Sequence, residues 1–155
     1  MAKKPHPLQA AVRVAQSRED EAAKALAESQ QRLIEQQNRL GQLLLFRGEY
    51  ASQFQSEGSG GISARRFQDY AAFLNSLDQG ITQSQQEMER LQRELQRKRQ
   101  DWVQTHAKTK ALEEVMERDR QVESRREDRR EQRDSDERNL RGASVGRRSP
   151  AGEGP

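Results

Sequence analysis

The stretch that decides the fold is Glu57-Gly58-Ser59-Gly60-Gly61. Three glycines in four positions mark a turn, because glycine adopts positive φ without steric cost. Nothing else between Leu8 and Ser149 breaks a helix so strongly. All prolines sit at the ends, at Pro5, Pro7, Pro150 and Pro155, so no backbone donor is lost in between. The layout is helix, glycine turn over about residues 57–63, helix.

Reading outward from the turn, each arm carries an apolar repeat of 3.5 residues. Steps of four and three from Leu8 give Val12, Ala15, Glu19, Ala22, Leu26, Ser29, Leu33, Gln36, Leu40, Leu43, Arg47, Tyr50 and Phe54. Ten of these fourteen are apolar, in a chain that is 31% hydrophobic. The second arm gives Phe67, Tyr70, Leu74, Leu77, Ile81, Ser84, Met88, Leu91, Leu95, Lys98, Trp102, Thr105, Thr109, Leu112 and Met116, eleven of fifteen apolar. Such enrichment marks a coiled-coil seam. The next steps, Asp119 and Glu123, end it. A fold-back centred near Ser59–Gly60 sets Leu8 opposite about Ala111, so the two stripes run out together. The expected fold is all-α: a long two-helix antiparallel coiled-coil hairpin, about 70 Å in length at 1.5 Å per residue.

The hairpin spans residues 8–141, after a flexible N-terminus at 1–7. From about Glu117 to Arg141 the second helix has no partner and forms a charged overhang. Pairs such as Glu114 with Arg118 and Asp134 with Arg138 support it by about 0.2–0.5 kcal/mol each. From Gly142 the composition turns to Gly, Ser, Arg and Pro, and residues 142–155 are expected to be a disordered tail.

Composition agrees with a rod rather than a globule. The 155 residues are 34% charged, and 20 are glutamine. Ordinary domains are nearer 45–50% apolar and about 25% charged. The absence of cysteine removes disulfides and thiolate metal sites. The longest apolar run, Leu43-Leu44-Leu45-Phe46, is far too short to span a bilayer, and no apolar segment follows the basic N-terminus, which argues for a cytoplasmic protein. Net charge is +3 from 28 basic and 25 acidic residues, a mixture that does not imply nucleic acid. No catalytic constellation stands out, so no enzyme and no cofactor are expected. His6 and His106 lie in different segments, and His106 reads as a solvated helix residue. Carboxylates lie on solvated charged faces, where nothing tunes them for acid–base work. The glycine turn follows no strand and lacks the Lys-Ser/Thr of a phosphate loop.

Function is expected where apolar or like-charged residues fall outside the seam. Phe46 and Phe73 lie beside it and opposite one another. Leu43, Phe46 and Tyr50 cluster near the end of the first arm, and Phe73, Leu77, Gly80 and Ser84 form an i, i+4, i+7, i+11 stripe. Two helices cannot cover all these groups, so an exposed apolar patch is expected, as at partner sites. In the overhang, Arg125, Arg126, Arg129, Arg130 and Arg133 form two adjacent i,i+4 rows suited to an acidic protein surface.

Several segments resemble the flagellar export protein FliJ family of the bacterial flagellar type III export apparatus. They are Leu43-Leu44-Leu45-Phe46-Arg47-Gly48-Glu49-Tyr50, Gly60-Gly61-Ile62-Ser63, Tyr70-Ala71-Ala72-Phe73-Leu74-Asn75-Ser76-Leu77-Asp78, Trp102 and Lys110-Ala111-Leu112-Glu113. The resemblance implies an antiparallel coiled coil similar to the γ stalk of rotary ATP synthases. It implies a non-catalytic stalk and adaptor between the hexameric export ATPase (FliI) and the cytoplasmic domain of the export gate (FlhA), with export chaperones as further partners. It places the protein peripherally at the inner face of the membrane. The family's gate-contacting cluster falls on Leu43, Phe46, Tyr50, Phe73, Leu77, Gly80 and Ser84, and the ATPase contact is assigned to the arginine rows. The alternatives from the residues alone are a coiled-coil scaffold of another secretion system and an arginine-rich RNA-binding helix.

Overall fold

The computed structural model describes residues 4–146. Those residues hold two α-helices and no strand: α1, Gln9–Ser59, and α2, Ala64–Gly146. They form an antiparallel helical hairpin. Glu19 meets His106, Arg32 meets Glu94, Gln36 meets Ser84 and Arg47 meets Asp78, so α2 numbers fall as α1 numbers rise. Packing divides the chain into two units, Val14–Thr109 and a second made of the segment up to Arg13 with that from Lys110 onward.

The turn is shorter and later than the glycine run suggests. Helix α1 continues through Gly58 to Ser59. Its end is closed by bonds from Gly60 N–H to the Glu57 carbonyl (3.1 Å) and from Gly61 N–H to the Gly58 carbonyl (3.3 Å). Gly61 then takes φ +82°, the left-handed conformation that reverses the chain. Ser63 starts α2 as its N-cap: its Oγ accepts from Arg66 N–H (3.2 Å) and its carbonyl from Phe67 N–H (3.0 Å). The fold-back centre therefore lies beyond Ser59–Gly60. One consequence is that Arg47 meets Asp78 rather than facing Ala72.

In the Val14–Thr109 unit the 3.5-residue repeat is also the repeat of burial. Every seam position from Ala15 to Phe54, and from Tyr70 to Thr109, is buried or half-buried. Phe67 is the exception at 52% exposure, because it sits on the first turn of α2 where α1 is ending. Ala15, Tyr70, Ile81 and Leu91 form the apolar core of this unit, and Ser29, Gln36, Ser84 and Thr109 are buried polar groups within the seam. Gln36 Nε2 donates to Ser84 Oγ at 2.6 Å, and Thr109 Oγ1 donates to the Thr105 carbonyl at 3.0 Å. Ser29 is fully buried, and its Oγ has no hydrogen-bond partner among the described residues.

In the other unit the described N-terminal segment from Lys4 leads into α1, with His6 bonded at its start. The His6 carbonyl accepts from Gln9 N–H (3.0 Å) and its Nδ1 from Leu8 N–H (3.0 Å). Its Nε2 bonds Asp119 Oδ2 at 2.7 Å, so the start of the 117–141 overhang has a partner after all. The N-terminal segment, Val12 and Met116 line one cavity of about 1160 Å³. Helix α2 also runs past Arg141 and Gly142 to Gly146, and the rest of the expected tail lies outside the described residues.

Burial sets opposite expectations for two seam substitutions. Leu91→Ala removes a side chain only 4% exposed and should cost about 2–3 kcal/mol, at the low end for core leucines because a two-helix seam relaxes readily. Ser29→Ala replaces an unpaired buried hydroxyl and should stabilise the hairpin by about 1 kcal/mol. Urea unfolding followed by circular dichroism measures both.

Candidate partner-binding surfaces

All four phenylalanines and both tyrosines gather at the turn end of the hairpin. Phe54 packs on Phe67 and Tyr70, Tyr50 on Tyr70 and Phe73, and Phe46 on Tyr50 and Phe73. Ring centroids are 4.5–6.3 Å apart, the range of favourable aromatic pairs. Tyr70, 7% exposed, anchors the cluster. Its hydroxyl donates to Glu57 Oε2 at 2.8 Å, and this bond and burial push its pKa up. Glu57 also pairs with Arg66 at 3.0 Å, tying the last turn of α1 to the first of α2. Beside the rings Arg47 pairs with Asp78, and the bond from the guanidinium holds the Asp78 carboxyl below its ordinary 3.8.

Not all of the anticipated patch lies on the surface. Phe46 and Phe73 touch edge to face and are 48% and 39% exposed. Tyr50 lies against both and is half-buried. Leu43, Leu77 and Gly80 are half-buried as well. Ser84 is 6% exposed and turned into the seam toward Gln36, so it cannot extend an exposed patch. The surface is therefore centred on Phe46, Tyr50 and Phe73. Leu44 (48% exposed) and Leu45 (65%) are exposed apolar residues outside the expected site. The signal for them was the run Leu43-Leu44-Leu45-Phe46, since four successive helical positions cannot all face one seam.

Arg125, Arg126, Arg129, Arg130 and Arg133 are all exposed on α2. His106 is not the solvated residue expected. It is half-buried, stacks on Trp102 with centroids 5.0 Å apart, and its Nδ1 bonds Glu19 Oε1 at 2.6 Å across the hairpin. The antiparallel alignment brings residues 87 apart in sequence into contact, which neither helix alone reveals.

A long antiparallel helical hairpin with aromatic residues concentrated at its turn defines a coiled-coil protein. Its family is given by comparison with known sequences: the model for the Flagellar FliJ protein family matches residues 3–148, and the chain belongs to that family. A Flagellar FliJ protein of Escherichia coli (strain K12) is 27% identical over 77 residues. That match covers 50% of this chain and 52% of the relative, so the chain spans about half the length of the curated relative it matches. No solved structure matches. Membership makes this a flagellar protein of the FliJ family, and no helix among the described residues is long and apolar enough to cross a membrane.

The lowered Asp78 pKa gives the hairpin an acid limb. A carboxylate with a depressed folded-state pKa contributes stability above its unfolded pKa, and that contribution is lost as pH falls through the folded value. Thermal stability should therefore decline below about pH 4, in the range of the ordinary Asp value. Asp78→Asn should make that decline shallower, as melting temperatures taken across pH would show.

Proposed function

We propose that the protein is a non-catalytic stalk and adaptor of the flagellar type III export apparatus, linking the export ATPase hexamer (FliI) to the cytoplasmic domain of the export gate (FlhA). The observation that carries this is the pair of rings at Phe46 and Phe73. They pack against Tyr50 yet remain substantially exposed. Exposed aromatics in a fixed arrangement suit a protein partner, because they bury much area at little entropic cost. The gate is the assigned occupant, with Leu43, Leu77 and Gly80 at the margin. Export chaperones are further partners, and the protein acts in the cytoplasm, peripherally at the membrane.

The arginine rows are assigned to the ATPase ring. Arg125, Arg129 and Arg133 follow one another at i,i+4, as do Arg126 and Arg130. Like charges at that spacing cost the isolated helix some stability, a cost an acidic partner surface would offset. RNA is disfavoured, since residues 117–141 contain nine arginines and nine acidic residues, a net charge of zero.

Phe46→Ala and Phe73→Ala should each weaken gate binding by about tenfold or more, with helicity unchanged. Binding of both variants at wild-type affinity would remove the gate assignment. Replacing Arg125, Arg129 and Arg133 together with glutamine should weaken association with the ATPase more than with the gate; equal loss, or loss of neither, counts against it. Titration of the purified full-length chain with each partner reads both effects.

A further inference from the structure

We propose that, with the arginine rows read as the ATPase contact, α2 docks there through an apolar strip as well, against a partner surface whose own apolar strip is flanked by carboxylates. Val115, Val122 and Leu140 are 40%, 45% and 70% exposed. At about 100° per residue they fall within about 20° of one another around α2, spread over about 38 Å of its length. Arg126, Arg129 and Arg133 stand within about 40° of Val122, so arginines and aliphatics share one face. Met116, which lines the cavity beside the N-terminal segment, lies about 120° away. The face is therefore turned from that segment.

Charge indicates what covers this face. The residues one turn from Arg129 are Arg125, Arg126, Gln132 and Arg133, with no carboxylate among them. Arg126, Arg129 and Arg133 form no ion pair among the described residues, whereas Arg120, about 160° around from Val122, pairs with Glu117 at 2.8 Å. Within about 40° of Val122, residues 115–140 hold four arginines and one carboxylate, Asp136. Positive charge left unpaired by its own helix is complemented by carboxylates on the partner. The aliphatic side chains set among the arginines need an apolar strip between those carboxylates, the mixture of arginine and apolar contact found at protein interfaces. A bilayer matches less well, because three aliphatics over that length are too few to bury a helix in the headgroup region. RNA matches less well again, because the face has no aromatic ring on which a base could stack.

The test is titration of the full-length chain against the purified export ATPase hexamer. Val122→Gln with Leu140→Gln, which leaves every charge in place, should weaken binding at least about tenfold. Val122→Ile with Leu140→Met should bind like the wild type. All these positions are exposed, so circular dichroism should show an unchanged fold. Wild-type affinity in the glutamine pair, with binding still weakened by replacing Arg125, Arg129 and Arg133, overturns the apolar strip and leaves the ATPase reading standing. Wild-type affinity in both sets of variants removes the two together. Weakening by the Ile/Met pair as strong as by the glutamine pair also overturns the strip, since an apolar contact survives that exchange. Vesicles of phosphatidylglycerol and phosphatidylcholine are the control surface. Vesicle binding that is lost in the glutamine pair, with ATPase binding unchanged, assigns the face to a membrane and overturns the proposal.

Discussion

The fold depends on a seam one side chain wide, repeated every 3.5 residues along two helices. Such a seam buries little: Ala15, Tyr70, Ile81 and Leu91 are the well-covered apolar residues of the Val14–Thr109 unit. Apolar burial is non-directional and would tolerate sliding of one helix past the other. The buried Gln36–Ser84 bond does not tolerate it, since any other alignment strands two polar groups away from water. The turn adds a second constraint through Gly61 and the Ser63 cap, and Glu57 clasps Tyr70 and Arg66 across it. Alignment is therefore fixed at the turn and again within the seam.

That alignment creates the surfaces to which function is assigned. Two helices can enclose only what lies between them, so residues flanking the seam stay partly exposed. At the turn end the flanking residues are aromatic, and their mutual contacts hold them still without hiding them.

Much of this was legible in the sequence. The seam positions between Ala15 and Phe54 are covered because burial on a long helix follows its apolar period. Resemblance to the FliJ family rested on segments that the family match now spans. Other features were not legible. Phe67 belongs to the repeat but lies too close to the end of α1 to be covered. Ser84 stands both in the 3.5-residue repeat and on the Phe73–Leu77–Gly80 stripe, and its burial beside Gln36 decides for the seam. The His6–Asp119 contact joins residues 113 apart, and nothing local to either announces it.

The sequence by itself determined that the described residues form two helices, where they reverse to within a few residues, and which side of each helix is covered. Those properties depend on local propensity and on period. Only the tertiary structure decided the alignment of the helices, and with it that Arg47 meets Asp78, that His106 meets Glu19, and that Gln36 meets Ser84. The physical reason is that a heptad repeat looks the same after a shift of seven residues, so period cannot choose between registers. Hydrogen bonds and aromatic contacts between specific atoms can.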